Sequence, residues 1–130
     1  MDPLLIARVL VCVFFAACFL QSGLDKVVDW KGNLEWLTGH FAKTPLKSLV
    51  PMLLAGITLL ELAAGVSCGV GAVLMLLGGS RTVAIAGLGL VAFALTMLFT
   101  GQRIAKDYPG AASLATYFGV ALIGLWLLEA

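Results

Sequence analysis

Histidine occurs once in this chain, as His40, so no haem is held here by two histidines of one chain. Cysteine is almost as scarce. Cys12, Cys18 and Cys68 each sit inside an apolar run, and no two show the close spacing of a zinc or redox motif. They read as buried, inert thiols. No Gly-x-Gly-x-x-Gly opens a helix and no phosphate-binding Walker loop is present. Charge is also sparse, at 12% of residues with a net charge of +1, so no nucleic-acid partner is indicated. The chain therefore reads as non-catalytic alone, with no cofactor expected from its own residues. A redox role would need cofactors carried by a partner.

Apolar residues are what the chain has in abundance. They make up 62% of it, and the mean hydropathy is +1.08. A soluble domain averages about 45–50% apolar, and small domains bury the smallest share of their surface. Lipid must cover the remainder. Four apolar runs, at residues 4–24, 49–77, 82–100 and 111–128, each suit a membrane span of about 20 residues. The reading is an all-α membrane protein, a single domain over residues 1–130 built as a four-transmembrane-helix bundle. Pro3 suits the first helix start. Gly78-Gly79-Ser80-Arg81 is so short a turn that the third helix must return antiparallel beside the second. Residues 25–48 mix Lys26, Asp29, Lys31, Glu35, Lys43 and Lys47 with Trp30, Leu34, Trp36, Leu37 and Phe41. The helical spacing of Leu34, Leu37 and Phe41 predicts a short amphipathic interfacial segment between helices 1 and 2. An irregular loop with aromatic anchors is the alternative.

Even crossing number puts both termini on one side. Lys26, Lys31, Lys43, Lys47, Arg103 and Lys106 lie in the two larger loops, against Arg8 and Arg81 opposite. The positive-inside rule then places loops 25–48 and 101–110 in the cytoplasm of a cell (inner) membrane protein. The first run is read as a retained span, not a signal peptide, because no basic residue precedes it and Arg8 lies within it. Phe15-Ala16-Ala17-Cys18 bears only a faint likeness to a lipoprotein cleavage box.

Glu61 carries the most information. A carboxylate near mid-span costs at least ~2.5 kcal/mol, so it needs a partner, a cavity or a proton. Helical rise places Gln21, Ser22, Lys26, Thr58, Thr96, Thr100, Ser113 and Tyr117 in the same half of the membrane as Glu61. Two readings stand side by side: a pocket for a small molecule or quinone head group, and a hydrogen-bond cluster that only fixes helix register. Arg8 lies too far from Glu61 in depth to pair with it, and is expected to snorkel or to meet Glu129 or the terminal carboxylate. Gly65-x-x-x-Gly69 matches a close-packing motif, which is weak evidence in a chain with 15 glycines.

Arg8, the run Ser22-Gly23-Leu24-Asp25-Lys26, the run Glu61-Leu62-Ala63-Ala64-Gly65 and the glycine turn ending at Arg81 resemble the DoxX family of small four-span bacterial membrane proteins. The resemblance covers most of the chain by topology, through short motifs. That family is named for a membrane subunit of an archaeal thiosulfate:quinone oxidoreductase. The resemblance implies an accessory subunit of a redox or respiratory assembly, with Ser22, Lys26 and Glu61 on the motif positions. Lipid, other membrane or redox subunits or a homo-oligomer are then the partners, and quinone the ligand. The competing expectations are a small oligomeric transporter or channel using Glu61, and a purely structural accessory protein.

Overall fold

Helix ends are written plainly in the local chemistry. In the computed structural model, which describes residues 1–129, helix α1 (Pro3–Val28) starts with Asp2 as N-cap, its carboxylate accepting from the Leu4 N–H, and with Pro3 at the first position. Asp29 ends α1 and also caps α2 (Trp30–His40), accepting from the Gly32 N–H at 3.2 Å. The expected amphipathic segment is therefore a helix, joined to α1 by one residue. A 3-10 turn (Lys47–Leu49) leads into α3 (Val50–Leu76), where Pro51 sits in the first turn and removes no needed hydrogen bond.

Two further turns are alike in construction. α3 ends with Gly78 in the left-handed region (φ 78°); its N–H donates to the Met75 carbonyl and the Gly79 N–H to the Leu74 carbonyl. α4 (Thr82–Ile104) ends in the same way, with Lys106 at φ 61° and the Asp107 N–H on the Gln102 carbonyl. Asp107 then accepts from the Gly110 N–H at 3.1 Å and starts α5 (Tyr108–Glu129). The sequence suggested a ten-residue polar loop over residues 101–110. Helix consumes most of it, because an apolar run marks the hydrocarbon thickness while the helix runs on through polar residues. α1 outruns its expected end, Leu24, for the same reason.

Four helices, α1, α3 (with the turn before it), α4 and α5, are long and apolar enough to span a membrane. α1 packs on α3, α3 on α4 and α4 on α5, and α5 closes more thinly back onto α1. Glycine permits the closest approaches. A Cβ on Gly71 would lie 2.6 Å from the Ala84 backbone, one on Gly87 2.7 Å from the Cys68 nitrogen, and one on Gly65 2.9 Å from the Leu20 nitrogen. Phe15, Leu54, Leu88, Val91, Cys12 and Cys68 are fully buried between the helices. Outside, Leu10, Leu59, Phe93, Ile123 and Trp126 are more than half exposed. Only 22–39% of the most apolar stretch of each helix is buried, so lipid must solvate the rest: the chain is a multi-pass membrane protein.

Candidate functional site

Lys26 and Glu61 reach each other because helix geometry aims them together. A helical side chain leans toward the N-terminus of its own helix. Lys26, near the end of α1, leans back one turn into the membrane. Glu61 is on antiparallel α3 and leans toward the end where α2 lies. The Lys26 Nζ stands 2.9 Å from Glu61 Oε1, donates to Ser22 Oγ at 2.8 Å and lies 3.4 Å from the Ser22 carbonyl oxygen. Glu61 is 2% exposed and Lys26 17%. The ammonium sits off the angle of a directed hydrogen bond to Oε1, so that oxygen is charge-paired with its hydrogen-bonding capacity unfilled. Gly23 makes the approach possible, since a Cβ there would lie 2.7 Å from the Leu62 side chain.

Lys26 of this pair borders a partly open cavity of about 690 Å³ at the same end of the bundle, while Glu61 lies behind it and does not line the wall. Ser22 and Lys26 form one wall, Leu54 and Ile57 of α3 another, and Thr96 and Ser113 belong to the α4–α5 side. Trp36, Leu37 and Phe41 from the α2 region line it as well. Most of the lining is apolar, with one cation at its edge. A site of this size and polarity suits a small molecule with an apolar body and a polar end.

A clasp holds α2 to the α4–α5 turn. His40 Nε2 is 2.7 Å from Gln102 Oε1 and 4.0 Å from Asp107 Oδ2. Trp36 stacks on the His40 ring, with centroids 4.6 Å apart and planes 15° from parallel. Sequence reading used His40 only to exclude haem. The partners lie 62 positions apart, and no local pattern links them.

The expected polar cluster is thus brought together in part. Ser22, Lys26 and Glu61 converge. Thr96, Thr100 and Ser113 line the cavity, although Thr96 and Thr100 donate to carbonyls one turn back, Ala92 and Thr96. Thr58 is buried but donates to the Leu54 carbonyl of its own helix. Tyr117 is a correction: its ring stacks on Phe14 at 6.1 Å, on the outer α1–α5 seam away from the cavity. Gln21 is exposed and likewise absent from the cavity wall. Depth along a helix was legible, but the face was not. Arg8 also finds another partner than expected, donating through Nε to the Leu127 carbonyl at 2.7 Å; the terminal carboxylate lies outside the described residues. No protein-family model, curated protein or solved structure matches the chain.

Proposed function

We propose that the chain is a non-catalytic, DoxX-like subunit of a cell (inner) membrane redox assembly, and that its cavity holds the head group of a quinone near a partner that carries the cofactors. The observation that supports this reading is a cavity of about 690 Å³ walled by lipid-type side chains, with Lys26 at its edge. An ammonium has three donors. On Lys26, one donates to Ser22 Oγ at 2.8 Å and a second reaches the Ser22 carbonyl oxygen at a long 3.4 Å, while Glu61 Oε1, 2.9 Å away, is paired by charge and not by a directed hydrogen bond. A quinone carbonyl is the kind of acceptor that would complete the ammonium's set of partners, while Glu61 holds the lysine in position. The basic residues around this end (Lys31, Lys43, Lys47, Arg103 and Lys106) argue for a cytoplasmic location.

A transport route through one copy draws no support from the packing. Cys12, Phe15, Cys68, Leu88 and Val91, all fully buried, fill the bundle between the cavity and the opposite end. Glu61 is moreover engaged with Lys26 at 2.9 Å and does not line the cavity.

Trp36 lines the cavity and reports on it once Trp30 and Trp126 are replaced by Phe. A water-soluble short-chain quinone titrated into the detergent-solubilised protein is expected to quench its fluorescence saturably. Lys26→Met and Ser113→Phe should each weaken that binding about tenfold or more, as for loss of one charge-assisted contact or of space. Linear quenching that is the same in all three proteins would end the quinone reading.

A further inference from the structure

At the opposite end of the bundle, two arginines share a second cavity, of about 350 Å³, with Asp2, Leu5, Met75, Gly78 and Gly79. Arg8 comes from the second turn of α1, and Arg81 from the glycine turn that opens α4. Arg8 is fixed in place, since its Nε donates to the Leu127 carbonyl at 2.7 Å and so ties α1 to the last turn of α5. That contact uses one of the five guanidinium donors and leaves the two Nη groups. Among the described residues, neither arginine forms an ion pair with a carboxylate, although Lys26 at the other end does. Asp2 is, among the described residues, the one acid on the rim, and it accepts from the Leu4 N–H as the cap of α1. The described lining of the cavity carries two guanidinia and one carboxylate, a positive balance.

Arg8 stands only ~8 Å along α1 from its start by helical rise, the depth at which phosphate groups meet hydrocarbon. Leu5 and the buried Met75 give the cavity an apolar part of its lining. α4 begins immediately after Arg81, so the positive end of its dipole adds to the same field. Guanidinium forks match phosphate oxygens in geometry and charge better than any other side chain.

We propose that Arg8 and Arg81 form a binding site for a phosphate-type oxyanion, separate from the Lys26 cavity. The anion bridges the two guanidinia and so joins the start of α1, the α3–α4 turn and the end of α5. Both a lipid headgroup phosphate and free phosphate supply this chemistry, and an experiment with two ligands distinguishes them.

The purified full chain in neutral detergent is titrated with inorganic phosphate and, separately, with short-chain phosphatidylglycerol, reading unfolding temperature and bound mass by native mass spectrometry. Stabilisation by phosphatidylglycerol alone identifies a lipid headgroup, and stabilisation by both identifies a general phosphate site. Arg81→Ala should weaken binding about tenfold or more, consistent with loss of a charge-assisted contact. Arg81→Lys should recover part of it, and Asp2→Asn should tighten it by removing the competing charge. Arg8→Lys tests the second arm, and any loss of fold it causes is read separately in the ligand-free unfolding temperature. No stabilisation by either ligand, equal binding by wild type and Arg81→Ala, or weaker binding by Asp2→Asn would each overturn the site.

Discussion

Lys26 and Glu61 decide how the interior of this bundle tolerates charge. Separately, each would have to leave water for an apolar surrounding, and the carboxylate, at 2% exposure, has almost no route back to solvent. Removing one partner of a buried pair strands the other, at a cost of about 3–5 kcal/mol, whereas replacing both with apolar groups is often neutral. Lys26→Met is accordingly expected to destabilise strongly, and Lys26→Met with Glu61→Leu to recover most of the loss. Equilibrium unfolding in mixed detergent measures both, and a double variant no more stable than Lys26→Met would refute the pairing. The sequence made Glu61 conspicuous by charge alone, and helical rise located Ser22 and Lys26 at a reachable depth. It did not resolve which side chain takes the carboxylate, because that depends on two helices leaning toward each other. Thr58 shows the same limit, since a buried hydroxyl at the right depth satisfied itself on its own backbone.

Helix ends offer a comparison inside one molecule. α3 and α4 both close with the residue after the cap in the left-handed region, filled by Gly78 in one and Lys106 in the other. A residue with a Cβ pays for that conformation with about 1–2 kcal/mol, whereas glycine adopts it freely. Lys106→Gly should therefore stabilise the protein by up to about 1 kcal/mol, and Gly78→Ala should destabilise it by about 1–2 kcal/mol. Open space around Gly78 makes the second a test of conformation alone, because an added Cβ meets nothing within 4 Å. Opposite signs in thermal unfolding of the two variants are the expected result, and equal signs would contradict the shared geometry. Gly78-Gly79 announced its turn in the sequence. Lys106-Asp107 did not, since no glycine marks the spot, and the loop there was read as longer than it is. Helices crossed by strongly apolar runs were legible throughout; helix ends beyond the hydrocarbon were legible only where glycine, proline or aspartate signalled them. The His40–Gln102 clasp belongs to neither group, because it depends on where α2 comes to rest.

For the whole molecule, the two ends of the bundle differ in charge, and that difference gives an expected orientation to test. Lys26, Lys31, Lys43, Lys47, Arg103 and Lys106 cluster at the end where α2 lies, opposite Arg8 and Arg81. Short loops rich in lysine and arginine resist translocation, so the α2 end is expected to stay in the cytoplasm. The chain is suited to a direct measurement. Cys12 and Cys68 are fully buried and Cys18 is half-buried within α1, so the native thiols give little background. Ala42→Cys places an exposed thiol after α2, and Ser80→Cys places one in the α3–α4 turn, neither altering a charge. A membrane-impermeant maleimide applied to intact cells, with the outer envelope permeabilised where there is one, should label Ser80→Cys at once and Ala42→Cys only after lysis. The reverse pattern would invert the orientation. It would also move the Lys26 cavity away from a cytoplasmic partner, while leaving the packing of the bundle and the arginine site at its far end unchanged.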